Sequence, residues 1–100
     1  MDDYRVKLSP EAVRDLDHIY AYLAEHLLEP GTAEHMVGRL EKGILSLARM
    51  PERNPIRRLG IYANQGYRQL FVQKYVIVYR VLRQKKEVHI ITIRYAPSCF

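Results

Sequence analysis

The sequence predicts an α+β domain in which a helical hairpin packs on one face of a mostly antiparallel four-stranded sheet. Helical periodicity occupies residues 10–48, and strand periodicity occupies residues 4–8 and 67–95. The predicted order is therefore β-α-α-β-β-β, which forms two layers around one core. With 100 residues, 48% of them hydrophobic, the chain can bury one such core, so we predict a single domain over residues 1–100.

The first strand and the first helix follow from two different periods. Apolar and basic side chains alternate over residues 4–8, as in a half-buried strand at the edge of a sheet. Ser9 and Pro10 then form an N-cap followed by a proline at the first helical position. The apolar positions of this helix recur at three- and four-residue steps: Ala12, Leu16, Ile19, Tyr20, Leu23 and Leu27.

A short break separates the first helix from the second. We expect Glu29-Pro30-Gly31 to end the first helix and Thr32 to cap the next. A connection this short predicts an antiparallel helical hairpin. The apolar positions of the second helix are Ala33, Met36, Val37, Leu40, Ile44, Leu47 and Ala48.

Met50-Pro51 ends the helical part, and the next fifteen residues, which lack a sustained period, are predicted to form a loop. Three strands rich in β-branched and aromatic residues follow at residues 67–72, 75–82 and 87–95. The second of them is apolar on both sides, so we place it in the middle of the sheet.

The two halves of the chain differ in charge. Residues 1–50 contain six Lys/Arg and nine Asp/Glu, whereas residues 51–100 contain ten and two. The loop and the last three strands therefore give the sheet a basic face, with the helices on the other side. Such a face favours anionic partners, namely phosphates, an acidic protein segment or an acidic substrate.

The sequence lacks the residues that several kinds of chemistry require. The histidines His18, His26, His35 and His89 do not have the spacing of metal ligands, and there is no C-x-x-C motif, so we predict no metal and no cofactor. The single Cys99 predicts no internal disulfide. No apolar run approaches the roughly 18 residues of a membrane span. We expect a cytoplasmic protein without membrane contact.

The remaining candidates are arginines and tyrosines. We predict that anions bind at Arg57, Arg58, Arg68, Arg80 and Arg94. Arginine binds phosphate bidentately, and tyrosine stacks on bases or transfers a proton. A metal-independent ribonuclease needs a base, cations around phosphorus and an acid. Its candidate catalytic residues here are Arg68, Arg94, Tyr95 and His89, although each of them is also an ordinary residue type for the surface of a basic sheet.

Several phrases, in this order, resemble the RelE/ParE superfamily of toxins from bacterial type II toxin–antitoxin modules. They are Tyr4-Arg5-Val6, Leu8-Ser9-Pro10-Glu11-Ala12, Ile19-Tyr20, Met50-Pro51-Glu52-Arg53, Gly66-Tyr67-Arg68 and Tyr75-Val76-Ile77-Val78-Tyr79-Arg80. The resemblance implies a growth-arresting toxin that an acidic antitoxin neutralises, with DNA gyrase or the ribosome and its mRNA as the target. It also implies a dimer or a toxin–antitoxin hetero-oligomer.

Individual residues indicate whether the chain is more similar to the RelE-like or to the ParE-like toxins. Arg68 matches a basic residue of RelE-like nucleases, but two further arginines of those nucleases fall on Val76 and Ser98, and Tyr95 is not the strict equivalent of their terminal tyrosine. The Met50-Pro51-Glu52-Arg53 phrase is more similar to ParE-like toxins. Our leading hypothesis is therefore a ParE-like toxin that binds gyrase. The alternatives are a ribosome-dependent mRNA endonuclease and a degenerate, non-catalytic interaction module.

Overall fold

The computed structural model describes residues 3–27 and 30–98, and its elements follow the predicted order. They are strand β1 (Arg5–Leu8), helices α1 (Pro10–Leu27) and α2 (Pro30–Ser46), and strands β2 (Arg68–Val72), β3 (Tyr75–Leu82) and β4 (Glu87–Tyr95), with 3-10 helices at Pro51–Arg53 and Ala96–Ser98. The predicted α+β class is confirmed. Strands β3 and β4 have the predicted bounds, and β1 and β2 each begin one residue later. Glu29, Cys99 and Phe100 lie outside the described residues.

The four strands form one sheet in the order β1-β4-β3-β2. Strand β1 pairs parallel with β4, and the other two pairings are antiparallel. Strand β1 therefore lies at an edge and β3 lies inside the sheet, as predicted. A bulge interrupts β4, because Val78 pairs with Thr92 while Tyr79 pairs with Ile90, which leaves Ile91 without a direct partner.

Ser9 joins the start of α1 to the sheet. The amide of Ala12 donates to Ser9 Oγ at 3.0 Å, which is the predicted N-cap contact. The Ser9 hydroxyl in turn donates to the carbonyl of Ile91 at 2.8 Å. Ser9 therefore follows the end of β1, caps α1 and attaches the start of this helix to β4.

The second helix begins earlier than expected. Helix α1 extends to Leu27 and α2 already begins at Pro30, so Thr32 lies within the first turn of α2. The prediction that Thr32 caps this helix is wrong. Proline is well tolerated at the first position of a helix, so the helix starts at the proline and not after it.

The main core lies between the helices and one face of the sheet. Its buried members are Ala12, Ile19, Leu40, Ile44, Leu47, Ile77, Tyr79, Val88, Ile90 and Ile93. Tyr20, which we expected on the apolar face of α1, is instead 37% exposed. Consecutive helical residues point about 100° apart, so the burial of Ile19 turns Tyr20 toward solvent.

The loop after α2 covers part of the other face of the sheet. Val76 and Val78 are fully buried there, together with Ala96. Tyr62 and Tyr67 pack over this second cluster. The segment is an irregular loop, as predicted, but it is also a lid over one half of the sheet. The other half, toward β1, stays open.

Candidate functional site

A row of basic side chains crosses the open half of the sheet. Lys7 on β1 pairs in register with His89 on β4, and His89 pairs with Arg80 on β3. Neighbouring residues of the same strands pack in the main core, so alternation turns this row toward the opposite face. These neighbours are Val6, Tyr79, Val81, Val88 and Ile90. The adjacent register row contains Arg5 and Glu87. We call these five residues the basic face.

Glu87, the first residue of β4, contacts three other residues of the basic face and is 8% exposed. Its Oε2 is 2.9 Å from Lys7 Nζ and 4.0 Å from Arg5 Nη2, and its Oε1 is 3.0 Å from His89 Nε2. The hydrogen bond from Lys7, followed by the one from His89, lowers the pKa of Glu87 to about 2. The basic face therefore contains its own anion at neutral pH.

Arg80 is the cation of this face that remains available. It is exposed, and it forms no ion pair with any carboxylate in residues 3–27 and 30–98. Arg58, in the loop, is exposed in the same way and also lacks a carboxylate partner in that part of the chain. An anionic partner that binds either of these two predicted residues would displace only water, because no carboxylate of the described residues pairs with them.

Arg68 lies elsewhere, at the rim of the helix-covered face. It pairs in register with Tyr79, whose ring is in the main core. Its Nη1 donates to the carbonyls of Asn54 at 2.6 Å and Glu52 at 3.2 Å, and its Nη2 is 3.9 Å from Glu52 Oε2. With 21% of the side chain exposed, Arg68 mainly fastens the turn after α2 to β2.

Glu52 also binds a second arginine. Its Oε2 accepts from both Nε and Nη2 of Arg83 at 2.7 Å, and this hydrogen bond raises the pKa of Arg83. Arg53, the neighbour of Glu52, donates to the carbonyls of Arg49 and Ser46 at 2.6 and 3.3 Å. It thereby satisfies acceptors at the C-terminal end of α2. The Met50-Pro51-Glu52-Arg53 phrase thus ties helix, loop and sheet together.

Arg57 is fully buried, so it is absent from the surface on which we expected it. Its Nε donates to the carbonyl of Ile61 at 2.6 Å, and its Nη1 donates to Gln69 Oε1 at 2.9 Å. The guanidinium holds the loop in its folded-back conformation over β2. Its burial makes Arg57 an internal support of the lid.

Arg94 and two acidic residues connect α1 to the edge of β4. Arg94 donates to Thr92 Oγ1 at 3.0 Å and to Glu11 Oε2 at 3.1 Å, and this second bond lowers the pKa of Glu11. Asp15 Oδ2 accepts from Thr92 Oγ1 at 2.6 Å and from the amide of Ile93 at 3.0 Å. Because β1 ends at its pairing with Ile90, the Asp15 carboxylate replaces a strand partner there.

Tyr95 belongs to a groove on the helical side. Its ring meets Tyr75 edge to face at 5.8 Å, and 45% of Tyr95 is exposed. The groove, about 890 Å³ in volume, runs between the helices and the turn from β2 to β3. Its mostly apolar wall includes Ile19, Tyr22, Leu23, Met36, Tyr75 and Tyr95. It is a second surface on which a partner could pack.

The four candidate catalytic residues therefore lie in separate environments. Arg68 is at the helix-side rim, Arg94 is beside the start of α1, Tyr95 is in the groove, and His89 is on the basic face. Val76, at a position where the resemblance implies a nuclease arginine, is sealed below the lid formed by the loop. Ser98, the other such position, lies in the final 3-10 helix.

The described residues also bear on metals and membranes. In residues 3–27 and 30–98, no three His, Cys, Asp or Glu residues come together as a metal site would require. Neither α1 nor α2, nor any other helix in those ranges, has the combination of length and apolar character needed to cross a membrane.

Comparison with known proteins gives the family. The family model for the ParE toxin of the type II toxin–antitoxin system, parDE, matches residues 6–96. The chain belongs to this family. No curated protein matches the sequence of this ParE-family toxin at a significant level.

The fold of the toxin is similar to solved structures of two related kinds. The chromosomal ParDE toxin–antitoxin system of P. aeruginosa has a TM-score of 0.77 and 23% identity over 95% of this chain and 98% of that chain. The RelBE2 complex of M. tuberculosis has a TM-score of 0.62 and 23% identity over 95% and 93%. The intact E. coli RelBE complex has 0.57 and 17% over 90% and 93%.

The structure of this ParE-family toxin also reveals residues that our sequence analysis did not select. Arg5, Lys7 and Glu87 belong to the basic face, while Glu52 and Asp15 hold the architecture together. Alternation in β1 already placed Arg5 and Lys7 on one side of that strand. The parallel pairing with β4 then brings them beside Glu87.

Proposed function

We propose that this ParE-family toxin arrests growth by binding DNA gyrase, that it does not itself cut nucleic acid, and that an acidic antitoxin neutralises it. The observation that carries the proposal is the separation of the candidate catalytic residues. A ribonuclease needs its base, its cations and its acid within hydrogen-bonding distance of a single phosphate. Arg68 and His89 instead lie on opposite faces of the sheet.

The contacts of each residue support the same conclusion. Arg68 Nη1 is bound to two backbone carbonyls, and Arg94 is bound to Glu11 and Thr92. A guanidinium that stabilises a transition state has to direct its donors at the developing charge on the substrate. Both arginines would first have to break contacts that hold the fold. This cost favours a toxin that acts by binding.

The antitoxin part of the proposal rests on charge and shape. The chain has a net charge of +5, and its second half has ten Lys/Arg against two Asp/Glu. The basic face offers Arg80 to carboxylates, while the groove at Tyr95 offers apolar surface to a helix or an extended segment. The RelBE neighbours are complexes of a toxin with its antitoxin, which supports a partner of this kind.

Inducible expression of the toxin alone tests the proposal. We expect slow growth, induction of a DNA-damage reporter, and inhibition of supercoiling when purified toxin is added to gyrase. Primer extension on translated mRNA serves as the opposing measurement. Transcript cleavage without a damage response would favour the endonuclease, and normal growth with soluble folded protein would favour the degenerate interaction module.

The antitoxin is tested with the protein encoded by the adjacent reading frame. Co-expression should restore growth, and the complex should elute together. We expect Arg80→Ala to weaken the complex about tenfold, because it removes an available cation from the interface. Arg14→Ala, an exposed arginine on α1, is the matched control and should leave affinity unchanged. Equal effects of the two substitutions on affinity would indicate that the basic face is not part of the interface with the antitoxin.

A further inference from the structure

The basic half of the chain contains only two acidic residues, and each holds cations. Among residues 51–100 these are Glu52 and Glu87. Glu52 lies at the rim, where it binds Arg83 and approaches Arg68. Glu87, the first residue of β4, lies at one end of the basic face, on the side of the sheet opposite the helices. Because Glu52 and Glu87 have the same charge but lie at different positions, substitutions of the two residues can be compared directly.

The carboxylate of Glu87 is engaged at both oxygens. One oxygen binds Lys7 at 2.9 Å with Arg5 at 4.0 Å, and the other is 3.0 Å from His89. Only 10% of the Glu87 side chain is exposed, so its carboxylate is embedded in the surface and does not project into solvent. The ammonium of Lys7 is thereby neutralised on its own protein, whereas Arg80, next to His89 in register, is not.

An embedded anion affects two kinds of partner differently. A nucleic acid strand carries a negative charge on every nucleotide, so a strand that binds Lys7 must place a phosphate near Glu87, whose Oε2 is 2.9 Å from Lys7 Nζ. Juxtaposed like charges oppose such binding strongly. A peptide can place a carboxylate on Arg80 and a neutral residue above Glu87.

We propose that Glu87 is a built-in counter-anion that excludes nucleic acid from the basic face and leaves this face to an acidic protein segment. The inference concerns the selectivity of one surface and does not depend on the target of the toxin. It assigns a specificity role to a residue that neither forms the core nor belongs to the predicted binding arginines.

The test compares two substitutions that change net charge equally. Binding of a labelled oligouridylate, about 20 nucleotides long, is measured by fluorescence anisotropy at several salt concentrations for the unsubstituted toxin, Glu87→Gln and Glu52→Gln. We expect Glu87→Gln to bind at least about tenfold more tightly, with a salt slope steeper by about 0.7 for each added phosphate contact. Glu52→Gln should change affinity by no more than about twofold, since the cations it releases lie off this face.

The double substitution Glu87→Gln with Lys7→Gln identifies the released cation. It should keep only part of the gain in RNA affinity, because the repulsion by Glu87 is absent but the cation of Lys7 is lost as well. Equal gains for Glu87→Gln and Glu52→Gln would overturn the proposal, because net charge alone would then explain both. No gain in folded Glu87→Gln would overturn it as well.

A measurement on the unsubstituted toxin covers the case in which Glu87→Gln does not fold. An acidic peptide in which glutamate alternates with a neutral residue is compared with an oligouridylate of equal charge at the same salt concentration. We expect tighter binding of the peptide and a loss of that binding in Arg80→Ala. Equal or tighter binding of the RNA would show that the face does not discriminate as proposed.

Discussion

Replacement of Arg68 by alanine separates a structural arginine from a catalytic one. The side chain donates two hydrogen bonds to the carbonyls of Asn54 and Glu52, at 2.6 and 3.2 Å, and is 79% buried by the rest of the molecule. Truncation would leave both acceptors without their charged donor and would release the turn after α2 from β2. We therefore expect Arg68→Ala to destabilise the fold.

The expected loss is about 2–3 kcal/mol. A hydrogen bond to a charged group contributes about 1.5–3 kcal/mol, but the carbonyls of Asn54 and Glu52 can regain water when the side chain is removed, so the two bonds together count for less than twice that value. The Glu52 contact at 3.9 Å adds little, because Glu52 is one-third exposed and such pairs contribute at most about 1 kcal/mol. For a chain of this length the loss corresponds to a decrease in Tm of about 10 °C.

Urea unfolding followed by circular dichroism measures the effect. Arg58→Ala, at an exposed arginine of the same loop, is the matched control and should stay within about 0.5 kcal/mol of the unsubstituted protein. Arg68→Lys should lose part of the stability, because a single ammonium cannot reproduce the guanidinium fork. Unchanged stability of Arg68→Ala would refute the structural role, and a loss of mRNA cleavage in the same variant would support the endonuclease.

Three further predictions concern single contacts. Tyr79→Phe should cost about 1–3 kcal/mol in urea unfolding, because the buried hydroxyl donates to the carbonyl of Pro51 at 2.6 Å; unchanged stability would contradict this. Ser9→Ala should cost about 1–2 kcal/mol in urea unfolding through loss of the N-cap, and unchanged stability would contradict this. The low pKa of Glu87 predicts stability that is complete above pH 4.5 and is lost as the pH falls through about 2; Glu87→Gln should lack this step in acid titration.

The strands were the most predictable elements. Strands β3 and β4 are rich in β-branched and aromatic residues and are bounded by polar turns, so local signals fix their ends. The Ser9 cap and the start of α1 were equally local. The start of α2 was missed because Pro30 and Thr32 both carry start signals, and the pattern alone does not rank a first-turn proline above a capping threonine.

The arginines show where sequence analysis stops. Arg57 and Arg58 are adjacent and chemically identical, yet one is fully buried and the other exposed. In extended backbone, neighbouring side chains point in opposite directions, so burial of one exposes the other. The choice is made by tertiary pairing, since the amide of Arg57 donates to the carbonyl of Tyr67 at 2.7 Å. No local pattern contains that contact.

The sequence predicted only some residues of the basic face, for a similar reason. Arg80 and His89 were candidates because they lie in the basic half of the sequence. Lys7 lies in the acidic half, and it reaches the face only through the parallel pairing of β1 with β4, about 80 residues away. Parallel pairing of the two terminal strands is a property of topology, and the charge count of each half does not express it.

The distribution of contacts ranks the arginines as ligands for an acidic partner. At Arg68 and Arg94 an incoming carboxylate would have to replace Glu52 or Glu11 and backbone or hydroxyl acceptors that already bind the guanidinium. The exchange gains little, because one anion is substituted for another. At Arg80 the partner displaces water alone in the part of the chain that the structure describes, so each new contact adds to affinity. The same comparison predicts a small binding surface on a chain with many arginines, because Arg53, Arg57, Arg68 and Arg94 already bind groups of the loop, the helix ends or the sheet.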